Sequence, residues 1–247
     1  MKIQPILRAI RNADQDFSMI EDGDRIAVAL SGGKDSMLLF LALSIYQKFS
    51  KHPFELCAIH VDVGFEDKIN QTMIDFAKQY NLELYIEKTK IFEILKQHRT
   101  SKGRLPCSLC STLKKGVLFE RAKELSCNKI ALGHHQDDAI ETLFMNMIHG
   151  SKIATFQPVQ YMSRMNMSMI RPLIYCKESQ IIHACQINEI PSAKKICPND
   201  GITMRQEMKE MLENIYQSYP QARDNFLTAL SNEQQISLWH KKKHKTT

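Results

Sequence analysis

No run of apolar residues in this chain approaches the ~20 needed to cross a bilayer as a helix. A helical membrane-spanning protein is therefore excluded, and no membrane partner is expected. The stretch Met1 to Asn12 is helical in pattern and mixed in charge, without an apolar signal core. No secretion signal is expected, and the predicted location is the cytoplasm. Internal repeats are absent, which sets aside repeat architectures. Neither charge sign dominates: 33 Lys and Arg face 27 Asp and Glu, for a net charge of +6. That mild excess permits a nucleic acid partner without demonstrating one. The seven cysteines are an odd number, and only one pair, Cys107 and Cys110, has Cys-x-x-Cys spacing. In a reducing compartment this argues against a disulfide framework and for metal or redox chemistry. A four-thiolate zinc site would normally show a second such pair.

What the chain does have is Ser31-Gly32-Gly33-Lys34-Asp35-Ser36, between the apolar runs Ile26–Leu30 and Met37–Leu41. A short strand that turns through glycines into a helix N-terminus makes an anion site, because backbone N–H groups and the helix dipole both favour negative charge there. Gly32 and Gly33 let the backbone approach phosphate oxygens, Lys34 adds a point charge, and Ser31 and Ser36 add hydroxyls. The ordinary nucleotide P-loop needs G-x-x-x-x-G-K-[ST]. Here Val28 stands in place of its first glycine, and Asp35 follows the lysine. The hexapeptide instead resembles the SGGxDS loop of the PP-loop ATPases, which cleave ATP between the α and β phosphates and adenylate a substrate.

At 247 residues the chain can bury a full core. Helical spacing over Ile3–Phe17 is followed by alternating strand and helix patterns. Strands are expected at Arg25–Leu30, Phe54–Val61, Leu82–Glu87 and Lys129–Leu132. Helices are expected after the phosphate loop to about Phe49, then at Ile69–Tyr80, Ile91–His98, Cys107–Leu125 and Ala139–His149. This alternation predicts an α/β, doubly wound parallel sheet. Ligands in such sheets lie beyond the carboxyl ends of the strands, where Ser31–Ser36, Asp62 and the loop Gly133–Asp138 all fall. Beyond Gly150 the pattern loosens: Met162–Met169 reads as irregular and Ile170–Leu173 as a short edge strand entering a proline turn. Lys177–Asn188, Arg205–Tyr216 and Gln221–Leu230 read as helices, and His240–Lys245 as a basic disordered tail. The expected organisation is an N-terminal helix (1–20), a nucleotide-binding α/β domain (21–175), a small helical C-terminal region (176–235) and a tail (236–247).

Gly133-His134-His135-Gln136-Asp137-Asp138 follows a strand and opens a helix. Its paired carboxylates suit Mg²⁺ or nucleotide positioning beside a phosphate loop, although a helix-capping Asp would look similar. Cys57, Cys127 and Cys185 fall in or beside regular elements and read as structural; Cys176 is ambiguous. Cys197 lies in a polar loop with Lys194 and Lys195 and is the best third ligand for the Cys107–Cys110 pair. Three thiolates with one position open suit an iron–sulfur cluster, with three-cysteine zinc as the competing reading. Lys114 lies one helical turn after Cys110, as a functional cation or as an ordinary surface lysine beside Lys115. Lys96, Arg99, Lys102, Arg104, Lys114, Lys115 and Arg121 form a basic rim of the kind phosphate-rich RNA would meet.

Taken together, Asp16–Asp24, Ser31–Ser36, Pro106–Cys110, Gly133–Asp138 with Glu141–Phe144, Ile170–Leu173 and Arg205-Gln206 resemble the tRNA 2-thiocytidine synthetase family. These are ATP-dependent sulfurtransferases of the PP-loop superfamily, with the adenine nucleotide alpha hydrolase-like fold. The resemblance implies a homodimer that uses ATP, Mg²⁺ and a [4Fe-4S] cluster to thiolate a cytidine in the tRNA anticodon loop. Sulfur would come from a donor such as a cysteine desulfurase. Carried onto this chain, Cys107, Cys110 and Cys197 would hold the cluster. Ser31, Gly32, Gly33, Lys34, Asp35, Ser36, Asp62, Gly133, His134 and Asp138 would bind nucleotide. Lys34, Asp35, Asp137 and Lys114 would act in catalysis. Three features depart from the family pattern: Lys194 stands where it usually has a further cysteine, Pro198-Asn199-Asp200 is unlike the usual context of the third cysteine, and Lys114 stands where many members have arginine. Lys114 is similar to the catalytic lysine of the tRNA 2-thiouridine synthetases, so uridine is the alternative target. Lysidine-type ligation, which needs no cysteines, is the other.

Overall fold

A computed structural model of the chain describes residues 2–65, 69–100, 103–192, 197 and 204–239. Lys102, Lys194, Lys195, Pro198-Asn199-Asp200 and the basic tail His240–Lys245 lie outside the described residues. The chain divides into two compact units, Met1–Ala139 with Phe156–Thr203, and Ile140–Thr155 with Met204–Thr247.

The elements run in the order α1 (Gln4–Phe17), β1 (Arg25–Ala29), α2 (Lys34–Tyr46), β2 (Glu55–Asp62), α3 (Ile69–Tyr80), β3 (Leu84–Lys88), α4 (Ile91–Gln97) and α5 (Cys107–Glu124). They continue as β4 (Lys129–Ala131), α6 (Gln136–Gly150), β5 (Val159–Met162), β6 (Met167–Ile170), α7 (Glu178–Ile187), α8 (Met204–Ser218) and α9 (Ala222–Ser231). The sheet order is β3-β2-β1-β4-β6-β5. Every neighbouring pair is parallel except β5 with β6. This is the expected doubly wound α/β sheet with one antiparallel edge strand.

The order places consecutive parallel strands on opposite sides of β1. Chain direction across the sheet reverses between β1 and β4, which opens a crevice at their carboxyl ends. Side chains alternate across the sheet. Ala27, Cys57, Ile59, Val61 and Ile130 join Ile91, Leu95, Leu118, Phe119 and Ala122 of α4 and α5 in one core. On the opposite side α2 packs against β1, β2, α1 and α7. Its residues Met37 to Leu43 are all buried, as a helix enclosed on every side must be.

The structure corrects the reading of the last strands. Met162–Met169 is not irregular: it contains the end of β5, a tight turn and most of β6, with Asn166 at φ 52° in the turn. Met167 and Met169 alternate into the core while Ser168 faces away, so the period-two signal was carried by methionines. Ile170–Leu173 is not an edge strand either. The strand ends at Ile170, because Pro172 has no N–H to extend the ladder, and β6 is internal, with β5 as the edge. The loop expected over Gly133–Asp138 also stops sooner, since α6 already begins at Gln136.

In the second unit, Ile140, Met208 and Leu212 form a small buried core, lined by Phe144, Met211, Tyr216 and Phe226. Arg205 there reaches Glu141 at 3.4 Å and Thr142 at 3.5 Å.

Phe40 is fully buried in the middle of α2. Phe40→Ala is expected to cost about 3–5 kcal/mol of stability, read as a lower urea midpoint with an unchanged slope.

Candidate active site

The phosphate loop leaves β1 at Leu30, which is held at both ends. Its N–H donates to the Ile59 carbonyl at 2.9 Å, and its carbonyl accepts from Nδ1 of the buried His60 at 2.7 Å. Since a carbonyl can only accept, this contact fixes the His60 tautomer as Nδ1–H. Gly32 then takes φ +79°, a conformation that a residue with a Cβ adopts only with strain. Gly33 is extended and precedes the first turn of α2. The Ser36 hydroxyl donates to the Gly33 carbonyl at 3.0 Å and accepts the Ser31 N–H at 3.1 Å. Its single proton is committed to Gly33, so at the 3.0 Å contact between the two hydroxyls Ser31 is the donor. The loop is thus closed on itself by the two serines, and the first turn of α2 opens toward the crevice with its unpaired N–H groups.

Gly133 brings the second loop against the first. A Cβ built on Gly133 would lie 3.1 Å from the Asp35 carbonyl carbon and 3.1 Å from the Ser36 nitrogen. A Cβ here would be tighter than ordinary contact and would press the phosphate-loop backbone away by a few tenths of an ångström. Asp138 Oδ2 then caps the start of α6 by accepting the His135 N–H at 3.0 Å. Asp137 Oδ2 accepts the Glu178 N–H at 2.7 Å, which joins the N-termini of α6 and α7. His135, which the sequence reading passed over in favour of His134, is buried among three carboxylates. Its ring nitrogens lie 3.9 Å from Asp35, 3.6 Å from Asp137 and 3.5 Å from Asp138. Burial alone would lower its pKa, but the acids outweigh burial and raise it.

Lys34 is taken up by acids on two sides: Asp35 at 2.9 and 3.1 Å, and Glu178 at 3.0 Å. Its desolvation is outweighed by these two partners, and its pKa is raised. Glu178 carried no sequence signal, because it lies 144 positions from Lys34 (178 − 34). Arg171 is buried as well. Its Nε donates to His134 Nδ1 at 3.3 Å, its Nη1 bonds the Gln157 carbonyl, and its guanidinium lies 4.7 Å from the Phe156 ring centre. Burial lowers its pKa to about 10. Asp62 closes its own turn, accepting from Gly64 N–H at 2.9 Å and Asn70 Nδ2 at 2.7 Å.

The cysteines sort by environment. Cys57 and Cys127 are buried with sulfurs 3.8 Å apart. Burial pushes the Cys176 thiol up to about 12 and the Cys185 thiol up to about 11. Cys176, left ambiguous by the sequence, is thus a buried thiol, poorly placed to ionise as a ligand. The other three are accessible: Cys107 is exposed, and Cys110 and Cys197 are half-buried. Pro106 is extended and its carbonyl accepts the Cys110 N–H at 3.0 Å, so α5 starts at Cys107 and both thiols share its first turn. The Cys110 thiol is pushed up by burial, against Lys114, with Cys197 and Cys107 raising it further. Cys197 therefore lies within electrostatic reach of Cys110, 87 residues away in the chain (197 − 110). Among the described residues no three His, Cys, Asp or Glu side chains stand close enough to enclose a single metal ion. Cys107 and Cys110 on one helical turn, with Cys197 acting on Cys110 from a distant part of the chain, are thiol donors of the kind an iron–sulfur cluster takes.

Several members of the expected basic rim have local partners. Arg121 pairs with Glu87 at 2.9 Å and Glu124 at 2.7 Å, Lys96 lies over the Phe92 ring, and Arg99 bonds the Gly103 carbonyl.

A family model described as a PP-loop domain matches residues 5–194. The tRNA-cytidine(32) 2-sulfurtransferase of Actinobacillus pleuropneumoniae serotype 7 (strain AP76) is 36% identical over 241 residues, covering 97% of this chain and 74% of that protein. The tRNA-cytidine(32) 2-sulfurtransferase of Geobacter sulfurreducens is 34% identical over 236 residues, covering 95% of this chain and 91% of that protein. Among solved structures, the U34-tRNA thiolase NcsA from Methanococcus maripaludis with its [4Fe-4S] cluster matches with a TM-score of 0.74 at 22% identity, over 95% of this chain and 80% of that one. Fold and phosphate loop together define a PP-loop domain. Within that class, the chain belongs to the tRNA-cytidine(32) 2-sulfurtransferase family.

Gly133→Ala forces a Cβ into backbone rather than into a yielding side chain. The loop must shift, and ATP affinity is expected to fall roughly tenfold, measured by calorimetric titration, while the melting temperature changes little.

Proposed function

We propose that this chain is an ATP-dependent tRNA sulfurtransferase that replaces the C2 oxygen of a cytidine in the anticodon loop by sulfur. Family membership supports the reaction class, and relatives at 34–36% identity are named for cytidine 32. The observation that carries the sulfur half of the reading is the partition of thiols. Four are buried, and of the three accessible ones, Cys107 and Cys197 both act electrostatically on Cys110.

The base's C2 oxygen attacks the α-phosphorus of ATP, and pyrophosphate leaves. Negative charge grows on the phosphate oxygens as that bond breaks. The loop amides of Ser31–Ser36 and the α2 N-terminus face that charge. Asp137 and Asp138 offer oxygen donors of the kind Mg²⁺ prefers beside the phosphates. The adenylated oxygen is then a good leaving group: a sulfide equivalent forms the C2–S bond, the C2–O bond breaks, and AMP departs. Cys107, Cys110 and Cys197 would hold a [4Fe-4S] cluster. With three protein thiolates such a cluster supplies one iron open to an external sulfur ligand. Lys114 stands one turn from Cys110 and favours its thiolate form, which suits a role beside the sulfur-handling site. We further infer that the enzyme works as a cytoplasmic homodimer and takes sulfur from a donor such as a cysteine desulfurase. No helix of the described residues is long and apolar enough to cross a membrane.

Cys197→Ala is expected to lose iron and thiolation while still binding ATP, whereas Cys176→Ala keeps its iron; iron content and an optical spectrum after anaerobic purification check both. A Cys197→Ala protein with full thiolation would remove that residue from the cluster. Mass analysis of tRNA nucleosides from a strain lacking the gene is expected to show loss of 2-thiocytidine. Loss of 2-thiouridine instead would reassign the target base.

A further inference from the structure

Lys34 is the one side-chain cation of the phosphate loop, and its ammonium is already fully engaged. It has three N–H donors. Three carboxylate oxygens lie within hydrogen-bond distance: Asp35 Oδ1 at 2.9 Å, Asp35 Oδ2 at 3.1 Å and Glu178 Oε1 at 3.0 Å. A phosphate oxygen can reach Lys34 only if one of these contacts opens. The two carboxylates differ in how readily they can give way. Asp35 is the adjacent residue on the same helix and moves with Lys34. Glu178 belongs to α7, a separate element.

The backbone of α7 is not free to swing. The Glu178 N–H is bonded to Asp137 at 2.7 Å, and the Cys176 carbonyl accepts the Gln136 N–H at 3.2 Å, so this N-terminus is fastened to that of α6. The Glu178 side chain can leave Lys34 while both of these backbone bonds stay in place. Its contact with Lys34 is also one that an incoming anion can outcompete. Both side chains keep solvent access, 28% for Lys34 and 20% for Glu178, and ion pairs of this partly screened kind are weak. A metal-bound triphosphate brings several negative charges to the same ammonium.

We propose that Glu178 is a gate on the phosphate site: its carboxylate occupies Lys34 in the nucleotide-free enzyme and is displaced when the triphosphate of ATP binds. The gate belongs to the same ATP site on which the proposed thiolation rests. It acts through Lys34, which makes Glu178 a positioning residue and not a catalytic one. While the pair is closed, the binding-competent fraction is reduced and apparent ATP affinity falls by that fraction.

Glu178→Gln keeps the backbone N–H that holds Asp137 and removes only the competing charge. In calorimetric titration of the full-length protein with MgATP at low ionic strength, Glu178→Gln is expected to bind about three- to tenfold tighter than the parent. The advantage shrinks at high salt as the ion pair is screened, and the KM for ATP in tRNA-dependent pyrophosphate release falls in parallel. Lys34→Met is expected to weaken MgATP binding. Equal or weaker binding by Glu178→Gln overturns the gate, as does a fall in kcat with unchanged affinity. A parent protein that binds no MgATP at all fails earlier, at the nucleotide site itself, and the two failures are told apart by that first titration. A structure with a non-hydrolysable ATP analogue gives an independent readout. The Lys34–Glu178 contact should open beyond 4 Å, the usual limit of an ion pair, and its persistence beside bound phosphates also overturns the gate.

Discussion

The site depends on one close approach of backbone to backbone. Gly133, just past the end of β4, lies against Asp35 and Ser36 so closely that an added Cβ would press on their backbone at 3.1 Å. Strand order makes that approach possible. β1 and β4 are parallel neighbours at the point where the connections reverse, so the loops leaving their carboxyl ends face each other across one crevice. The remaining features of the nucleotide half follow from it. His135 comes to lie among Asp35, Asp137 and Asp138, and the N-termini of α2, α6 and α7 meet around Lys34.

Electrostatically this crevice is richer in acid than a phosphate site might be expected to be. Asp35, Asp137, Asp138 and Glu178 are set against Lys34 and His135, both with pKa values raised by these same acids. A triphosphate entering alone would meet net repulsion from the side chains. What attracts it is the backbone: the amides of a glycine loop and the first turn of a buried helix. The carboxylates in turn give a divalent cation a reason to accompany the nucleotide. The site is thereby biased toward a metal-bound polyphosphate over a bare anion.

The proposed sulfur site is built by different means. It needs accessible thiols, and the fold supplies them by exception. Cys57, Cys127, Cys176 and Cys185 disappear into the core, where a thiol behaves as a small apolar group. Cys107 and Cys110 escape because Pro106 starts α5 where it does, placing both on an open first turn. An activating loop of this kind is common to PP-loop enzymes, so under the proposed function the identity of the product would rest with these accessible thiols and the cation at Lys114.

Much of this was legible in the sequence because it is local. The strand–glycine–helix pattern of residues 26–41, the helix start at Cys107 and the alternation of strands and helices are set by near neighbours in the chain, where dihedral preference and hydrophobic period decide the outcome. The β5–β6 hairpin was missed for a related reason: methionines at Met167 and Met169 carry a weak strand signal until a core is present to bury them. Other features were decided only by tertiary structure. Glu178 on Lys34, His60 on the Leu30 carbonyl, His135 among three acids and Arg171 on His134 join residues that no spacing connects. The burial that separates Cys176 from Cys197 is likewise a property of the packed molecule. Sequence determined which groups were available and on which elements they sit; the order of strands in the sheet determined which of them meet, because pairing across β1 and β4 is a choice among topologies that local chemistry does not make.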